Sequence, residues 1–473
     1  MPGSGWREAA RRQLDSALSA GGSGWVAVVG PRGAEKSTFL WEALRGREAI
    51  VLSGATMDEA DLLEDFRRTV REELGEIPVP RGPGILPDPE ASPGWRELLL
   101  GLAQPGRGRR LLVLDRWDEL VAARRSLGSE VAEALEWGRA KGGQLSIVIA
   151  ARHHPAEEGG SPLPEPRDTI RLGAMPFREA ARAQGGRSAR DAFHRWACLG
   201  ALPAQLPPGD PCDDWEEAVV ARVLRPSGDL FDAPLRRLAE TFHRPERYAS
   251  LLRAIALGPV DWGELRRRAR AVQSGAQMAP YLRRLEEEEI IRVERPLSAP
   301  EGSRRARYRL ADPFWGFWMS SVAPVRSRLL LEEPEEVWAS HIRPRVEAHL
   351  IRWLPLALRE WFEHHADEIL PASSREVGAV WGGEAEFDAV AWLTNGQICY
   401  GLARWLEGPV DPEPYEELLA RMDRTRYGIG RENRTPVLLA PGPLDPELRR
   451  RLARNPLARV LGMGELMGPW FPT

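Results

Sequence analysis

An apolar run, a glycine-containing turn and a lysine follow one another in an order that could bind phosphate. The run Trp-Val-Ala-Val-Val at 25–29 is typical of a buried strand, and helical spacing follows the turn. Between them, Gly30, Lys36 and Ser37 match the pattern G-x-x-x-x-G-K-[ST]. In such a loop, backbone N–H groups and a helix N-terminus converge on phosphate, the lysine neutralises phosphate oxygens and the hydroxyl binds Mg²⁺. The predicted nucleotide-binding residues are Gly30, Gly33, Lys36, Ser37 and Thr38.

Glu35 occupies the second glycine position of that pattern. It adds a Cβ where the backbone approaches phosphate, and it places a carboxylate beside an anion. The penalty is large if the side chain stays in the loop and small if it turns into solvent, so we expect weakened nucleotide binding. The alternative is an incidental strand-to-helix turn. Against that alternative, the chain has 65 basic residues, and the lysines among them are Lys36 and Lys141, which leaves 63 arginines.

A second apolar run, Arg-Arg-Leu-Leu-Val-Leu-Asp, ends at Asp115. A carboxylate at such a strand end holds Mg²⁺ through water, so Asp115 is predicted to act with Ser37 at the metal. Alone, it would be better explained as a turn or helix-capping residue. Arg116 stands where many nucleotide hydrolases place a catalytic glutamate, with Asp118 and Glu119 slightly beyond. We therefore expect slow hydrolysis or none.

A further apolar strand, at 145–151, is followed by Arg152, His153 and His154. Nucleotide hydrolases of this general kind place a polar sensor of the γ-phosphate at this point, so Arg152 is the predicted sensor. The histidines are interpreted as loop residues, because no third metal ligand is recognisable.

The whole chain has 473 residues, which is too long for one ordinary core and predicts about three domains. It is 43% hydrophobic and 28% charged, which excludes a mostly disordered protein. It contains no stretch of about 18 apolar residues and no signal-peptide pattern, so we expect a cytoplasmic protein without membrane contact. The net charge of −4 argues against nucleic-acid binding through overall charge. Spacing predicts neither disulfides nor a zinc site for Cys198, Cys212 and Cys399.

Alternating strand-like and helix-like segments up to about residue 160 predict a parallel α/β sheet with crossover helices. Stretches rich in proline and glycine at 78–94 and 157–167 are predicted loops, and a helical segment follows at about 174–234. The next part reads as three helices and a hairpin, at 247–256, 262–270, 276–289, 290–295 and 306–310.

Three helices and a hairpin predict a winged helix, in which the third helix would read DNA. Gln277, Arg283 and Arg284 lie on that helix and could reach a groove. The acidic run at 286–289 would repel phosphate, and arginine is abundant throughout the chain. Binding of double-stranded DNA and a protein-packing role therefore remain alternatives of equal weight.

Three phrases carry a family resemblance: Gly-Pro-Arg at 30–32, Leu-Val-Leu-Asp at 112–115, and a Tyr…Asp-Pro-Phe…Phe-Trp pattern at 308–318. They resemble the archaeal-type P-loop ATPases of the STAND branch of AAA-like proteins. The resemblance implies ATP and Mg²⁺ as ligands and a P-loop NTPase core followed by a helical lid and a winged helix. The implied domains are 1–160, 161–234 and 235–322.

Many members of that family carry a C-terminal domain similar to restriction-endonuclease-like PD-(D/E)xK folds. The matching elements here are Gly378-x-x-Trp381, Glu386-Phe-Asp388 and Gly401-Leu-Ala-Arg404-Trp405. The resemblance therefore implies an α/β nuclease-like domain at 323–473.

Leu402 stands where that pattern has a metal-binding glutamate, and Arg404 stands where it has a lysine. Leucine cannot bind Mg²⁺, and arginine does not readily act as a base. We predict a nuclease-like fold without cleavage, in which Glu386 and Asp388 are solvated edge residues. Two hypotheses follow for the chain: a nucleotide-binding switch, or a non-enzymatic scaffold with decayed sites that binds a protein partner the sequence does not identify.

Overall fold

The computed structural model describes residues 5–76, 93–106, 108–156, 163–209, 212–269, 275–300, 303, 305–406, 408–428 and 433–471. The predicted loop at 78–94 lies almost wholly outside the described residues, as does the first half of the one at 157–167. The chain divides into two compact units, Met1–Ala174 and Met175–Thr473.

Parallel strands form the sheet of the first unit. Within the described residues these strands are β1 (Gly24–Val29), β2 (Ile50–Ser53), β3 (Arg110–Asp115), β4 (Leu145–Ala151) and β5 (Thr169–Arg171). Their order across the sheet is β2-β3-β4-β1-β5, and every neighbouring pair is parallel. The carboxyl ends of all these strands therefore lie along one edge of the sheet. β5 belongs to this sheet although it lies beyond residue 160, the predicted end of the core. The prediction stopped earlier because this strand has only three residues and follows a loop that resembles a domain boundary.

Helices cover both faces of this sheet. They are α1 (Gly5–Ser19), α2 (Lys36–Ala43), α3 (Glu59–Leu74), α4 (Trp95–Leu102), α5 (Trp117–Ala123) and α6 (Leu127–Lys141). In β1, Trp25 and Ala27 pack into one core, whereas Val26 and Val28 pack into another. Burial on both faces explains why the strands are continuous apolar runs and do not alternate.

The second unit begins with helices. They are α7 (Phe177–Ala183), α8 (Ala189–Leu199), α9 (Trp215–Val219), α10 (Ala233–Thr241), α11 (Pro245–Ile255), α12 (Trp262–Arg268) and α13 (Gly275–Glu287). An antiparallel hairpin of β6 (Ile291–Glu294) and β7 (Arg307–Leu310) follows. Val260, before α12, bridges to Tyr308 of β7. The helices α11, α12 and α13 and the hairpin lie within a few residues of the predicted positions. The assignment of these elements to a winged helix remains a prediction.

The Tyr…Asp-Pro-Phe…Phe-Trp motif leads from β7 into a buried helical segment. It contains α14 (Pro313–Phe317), whose first turn is capped by Asp312, since Oδ1 accepts a hydrogen bond from Phe314 N at 3.1 Å. Trp318 Nε1 donates to Phe231 O at 2.7 Å. The phrase therefore tethers the end of the hairpin to the preceding helices.

The rest of the second unit is a mixed sheet between helices. Its helices are α15 (Arg326–Leu329), α16 (Pro334–Val337), α17 (Arg343–His365), α18 (Glu413–Arg424), α19 (Pro446–Ala453) and α20 (Met463–Met467). Its described strands are β8 (Ser374–Val380), β9 (Phe387–Leu393), β10 (Ile398–Ala403), β11 (Arg434–Leu439) and β12 (Arg459–Leu461). Short 3₁₀ or π turns lie at Pro203–Gln205, Val220–Leu224, Trp318–Val322, Ala323–Val325, Trp338–Ile342 and Ala366–Glu368.

The strand order in this second sheet is β12-β11-β10-β9-β8. β8, β9 and β10 pair antiparallel, whereas β10, β11 and β12 pair parallel. α17 packs on one face, where a Cβ on Gly401 would lie 2.9 Å from Leu358 Cδ2. The predicted fold class, an α/β P-loop NTPase core followed by a separate α/β sheet domain, is confirmed.

Two further expectations concern cysteine and the membrane. Cys198 and Cys399 are buried and Cys212 is half-buried, and all three are free thiols. Among the described residues, no helix has the length and apolar character needed to cross a bilayer.

Candidate nucleotide-binding site

The loop between β1 and α2 starts at a position that admits only glycine. A Cβ on Gly30 would lie 1.9 Å from Leu172 O, a backbone atom that cannot move aside easily. Gly30 N also donates to Ala151 O at 3.3 Å, at the end of β4. Gly33, within the loop, has φ +87°, a conformation that favours glycine. The path of the backbone therefore requires glycine at position 30 and favours it at position 33.

Glu35 adopts the left-handed conformation, with φ 56° and ψ 47°, directly before α2. The backbone thus keeps the conformation that glycine would favour at this position, although the strain in a non-glycine residue costs about 1–2 kcal/mol. Its side chain is exposed, and Oε2 accepts a hydrogen bond from Thr38 Oγ1 at 2.7 Å. The carboxylate is therefore held on the first turn of the helix.

Lys36 places its ammonium group on the loop itself. Nζ donates to Gly30 O at 2.7 Å and to Pro31 O at 3.2 Å. The side chain is half-buried. The cation is therefore already located at the loop, where it can exchange carbonyl oxygens for phosphate oxygens.

Ser37 and Asp115, which are 78 positions apart in the sequence, are hydrogen-bonded. Ser37 Oγ donates to Asp115 Oδ2 at 2.7 Å, and Asp115 is only 7% exposed. Ser53 Oγ lies 3.4 Å from the same oxygen, because Ser53 of β2 is opposite Asp115 in the parallel register. Ser53 was not among the predicted site residues, although a polar residue at the end of the strand Ile-Val-Leu-Ser was a usable signal.

These groups fit a phosphate-bound Mg²⁺ ion. A hydroxyl and a carboxylate in contact, with an ammonium on the adjoining loop, supply the oxygen ligands and the cation that such an ion and its phosphates require. In the described part of the chain, no group of three or more His, Cys, Asp or Glu could hold a metal without added ligands. A metal at this point would therefore take its remaining ligands from phosphate and water.

The predicted sensor, Arg152, is ion-paired with a neighbouring acid. Its backbone N donates to Asp118 Oδ2 at 3.2 Å, and its Nε lies 3.3 Å from the same oxygen. Asp118 is on α5, which starts after Arg116 in the left-handed conformation, with φ 51°. Asp118 follows Arg116, which stands at the position of the absent catalytic glutamate, by two residues.

One of the two histidines after β4, His154, has contacts on both ring nitrogens. His154 Nδ1 accepts a hydrogen bond from Ala156 N at 3.3 Å, so the ring proton lies on Nε2, which is 3.2 Å from Thr169 Oγ1. His154 thus ties the loop after β4 to β5.

The predicted DNA-reading residues lie on α13. Gln277 and Arg283 are exposed. Arg284 is half-buried, and its guanidinium is 3.1 Å from Glu287 and 3.4 Å from Glu288. Of the two arginines, Arg283 has the side chain better placed to meet a phosphate.

The predicted nuclease-like centre brings Asp388 and Arg404 together. Asp388 Oδ2 accepts a hydrogen bond from Ala403 N at 2.9 Å and lies 3.6 Å from Arg404 Nη1. Arg404 Nη2 also donates to both carboxylate oxygens of Glu417, at 2.9 Å each. Leu402 is fully buried in the core. A guanidinium thus lies between two carboxylates, one of which, Glu417, had no sequence signal.

Asp388 is half-buried and hydrogen-bonded, so its interpretation as a solvated edge residue is wrong, whereas Glu386 is exposed as expected. Burial raises the pKa of Asp388, although the hydrogen bond from Ala403 and the charge of Arg404 oppose the rise. The apolar hairpin sequence did not predict the burial of Asp388, because the groups that cover its carboxylate come from elsewhere in the chain.

The parallel sheet with its strand order and the loop after β1 fit the fold of a P-loop NTPase core. No protein-family model matches the sequence, and a search of curated proteins also found no match.

Several solved structures align with part of the chain. A Walker-type ATPase of Pyrococcus abyssi aligns with 66% of this chain and 95% of its own, at 17% identity and a TM-score of 0.45. Cdc6p from Pyrobaculum aerophilum aligns with 71% of this chain and 96% of its own, at 12% identity and a TM-score of 0.30. A STAND protein of Pyrococcus horikoshii with a tetratricopeptide repeat sensor aligns with 74% of this chain and 52% of its own, at 12% identity and a TM-score of 0.28.

Proposed function

We propose that this chain is an ATP-binding P-loop switch protein of the STAND/AAA-like class, with slow hydrolysis or none. The observation that carries the proposal is the Ser37–Asp115 hydrogen bond of 2.7 Å beside a loop that already holds the Lys36 ammonium group. Bound Mg²⁺ would neutralise phosphate charge, with the Ser37 hydroxyl as a direct ligand and Asp115 acting through water. Lys36 would leave its two carbonyl partners for phosphate oxygens.

Slow turnover follows from the side chains near Asp115. Hydrolysis needs a group that orients and deprotonates water, and Arg116 cannot accept a proton. Asp118 and Glu119, the next acids along the chain, are ion-paired with Arg152 and Arg116. A protein that binds ATP without a positioned base holds the nucleotide for long periods, as a switch requires.

Glu35 would weaken ATP binding without preventing it. Its carboxylate is exposed and bonded to Thr38, so solvent screens much of its repulsion of phosphate. The Thr38 hydroxyl is also engaged and would contribute to phosphate binding only after that hydrogen bond breaks.

Titration of fluorescently labelled ATP with Mg²⁺ into wild type, Glu35→Gly, Lys36→Ala and Lys141→Ala tests the proposal. We expect saturable binding by wild type, tighter binding by Glu35→Gly, loss in Lys36→Ala and no change in Lys141→Ala, whose lysine is exposed on α6. Saturation by none of the proteins would contradict the assignment of the loop.

A non-enzymatic scaffold remains the second candidate function, and it too has support. Arg404 neutralises both Asp388 and Glu417, and Arg152 neutralises Asp118, so three acids are engaged in ion pairs within the protein. In the titration above, binding by Glu35→Gly but not by wild type would favour this candidate.

For the second sheet we propose a nuclease-like domain that does not cleave DNA. Arg404 pairs with two carboxylates, and a buried leucine, Leu402, stands where the nuclease pattern has a glutamate. The oxygen ligands that a metal-dependent nuclease needs are therefore either paired with a cation or replaced. Incubation with plasmid DNA and Mg²⁺ or Mn²⁺ should give no cleavage. Cleavage that disappears in Asp388→Ala would overturn this proposal.

We also propose that double-stranded DNA, if bound, contacts α13. Arg283 is exposed, and loss of one phosphate contact lowers the slope of log affinity against log salt by about 1. Arg283→Glu should therefore weaken a salt-dependent duplex shift, whereas Arg253→Glu, an exposed arginine of α11, should not. A shift that neither variant changes would place the contact elsewhere, and no shift at low salt would leave α13 with a protein-packing role.

A further inference from the structure

The Gly378-x-x-Trp381 element lies at an edge of the second sheet, and none of the functions proposed above uses it. Gly378 is on β8, the outermost strand next to β9, and Trp381 follows directly after β8. The pairing of β8 with β9 is irregular between Gly378 and Val380, so Ala379 lies in a bulge. The outer side of an edge strand carries backbone groups that need a cover.

The loop between β6 and β7 supplies part of that cover. Leu297 N donates to Ala379 O at 2.9 Å. A Cβ on Gly378 would lie 2.7 Å from Leu297 Cγ, so the glycine leaves the space in which the leucine side chain lies. Leu297 is half-buried and packs against the hydrophobic core of the second sheet.

Trp381 receives a second side chain of the hairpin. The guanidinium carbon of Arg307 lies 4.9 Å from the ring centre of Trp381, which is 6% exposed. Arg307 Nη2 also lies 3.4 Å from Glu386 Oε1. We call Leu297 and Arg307 the latch, and Gly378, Trp381 and Glu386 the receptor.

The base of the hairpin is held more firmly than the latch. Glu294 of β6 is 2.9 Å from Arg359 of α17, and these side chains are 18% and 17% exposed. The side chains of Arg307 and Glu386 are 35% and 52% exposed. Exposed ion pairs contribute little to stability, and segments with few buried contacts open locally before the rest of a fold. The latch can therefore leave the receptor while the base of the hairpin stays in place.

The receptor engages an arginine that could otherwise meet a phosphate. The Glu386 carboxylate pairs with Arg307 as a phosphate oxygen would. β6 begins four residues after the end of α13, so a duplex on α13 would have the hairpin as its neighbour. Arg305, two residues before Arg307, is exposed and has no ion-pair partner among the described residues.

We propose that the receptor holds the hairpin closed, and that double-stranded DNA competes with Glu386 and Trp381 for Arg307. This inference rests on the DNA contact proposed for α13 and adds a regulation to it. The closed form binds DNA weakly, and release of the latch strengthens binding. The Gly-x-x-Trp element thus serves as a docking site within the chain.

The latch itself is tested without DNA, by hydroxyl-radical footprinting of the full-length protein. Leu297→Ser should speed the oxidation of Trp381 about threefold or more, because the ring loses its cover. Gly378→Ala should act in the same direction, whereas Gly383→Ala, whose added Cβ meets nothing within 4 Å, should not. Trp361, which is fully buried on α17, should stay protected in every variant and so reports correct folding. Unchanged oxidation of Trp381 in both latch variants would overturn the proposal.

The competition is tested by fluorescence anisotropy of a labelled duplex at low salt. Leu297→Ser should bind about threefold more tightly than wild type or better, with a slope of log affinity against log salt that is steeper by about 1. Glu386→Gln keeps an oxygen for Gly382 N, removes the charge and should also tighten binding, whereas Glu384→Gln should not. Arg307→Gln added to Leu297→Ser should cancel the gain.

The outcomes separate this inference from the DNA contact on which it rests. Binding that Arg283→Glu weakens but Leu297→Ser leaves unchanged would overturn the competition and keep the contact on α13. No binding by any variant, with Trp381 oxidised faster in Leu297→Ser, would overturn both. A gain in Leu297→Ser that Arg307→Gln does not cancel would also contradict the competition for Arg307.

Discussion

Glu35 shows how a residue that departs from a motif can leave the motif's geometry intact. Its backbone takes the conformation of the glycine it replaces, and its side chain bonds to Thr38. The departure therefore changes charge and strain at the loop more than it changes shape. Arg116, which follows Asp115, is also in the left-handed conformation.

Substitutions at position 35 should reverse the usual order of alanine and glycine. Glycine relieves about 1–2 kcal/mol of left-handed strain and costs about 0.5–1 kcal/mol in entropy, so Glu35→Gly should be more stable than Glu35→Ala by roughly 1 kcal/mol. Urea unfolding measures the difference. At Glu42, which is exposed within α2, alanine should be the more stable of the two. The same order at both positions would contradict the conformation of Glu35.

Much of the loop could be predicted because its chemistry is local. Gly30, Lys36 and Ser37 fall within eight residues, and their spacing alone places an ammonium and a hydroxyl at a helix N-terminus. The partner of the predicted sensor could not be predicted, since Asp118 reaches Arg152 only through the adjacency of two strands. Whether the Glu35 carboxylate stays in the loop or turns into solvent depends on its side-chain rotamer, which the sequence does not specify.

At the scale of elements, α17 carries a carboxyl group, Glu360, whose pKa is raised. Glu360 Oε2 accepts a hydrogen bond from Phe177 N, at the start of α7, at 2.8 Å. Burial raises the pKa of Glu360 to about 7, and the charges of Arg309 and Glu363 have smaller, opposing effects. A carboxyl that is protonated in the folded state and ionised in the unfolded state makes stability depend on pH.

Because the folded pKa is raised, the stability contributed by Glu360 is present below the unfolded pKa of about 4.5 and is lost as pH rises through about 7. The loss amounts to about 2–3 kcal/mol. Glu360→Gln keeps a carbonyl oxygen for Phe177 N and should match wild type at pH 5 but exceed it in stability at pH 8. Chemical denaturation at both pH values measures this, and Glu363→Gln, at an exposed neighbour, should change neither value much. A parallel pH dependence in wild type and Glu360→Gln would rule out this role.

The helices and strands around the β6–β7 hairpin were predictable from the periodicity of the sequence. The buried segment after β7 was noticed only because its sequence resembles a family pattern, and its contacts were not predicted. Asp312 is fully buried, and burial raises its pKa despite the hydrogen bond from Gln205. Gln205 lies more than 100 positions earlier, so no local pattern pointed to it.

At the scale of the whole molecule, the two compact units have separate hydrophobic cores. The first core lies around β1, β3 and β4, and the second around β9, β10 and β11. A chain with separate cores can unfold in separate steps.

We expect two unfolding transitions by calorimetry, of which MgATP shifts only the one that belongs to the first unit. At a concentration 100 times the dissociation constant, a ligand stabilises its unit by about 2.7 kcal/mol. Lys36→Ala should abolish the shift while leaving both transitions visible. A single transition that moves as a whole with ATP would show that the units unfold together.

The contacts of Lys36 have a consequence for chemical labelling. The sequence offers two side-chain amines, and Lys141 is exposed whereas the Lys36 amine donates to two carbonyl oxygens. An acylating ester should therefore modify Lys141 quickly and Lys36 slowly, and occupancy of the loop should alter only the slow reaction. Mass spectrometry of the two peptides would then report nucleotide occupancy in a crude extract, with Lys141 as the internal reference.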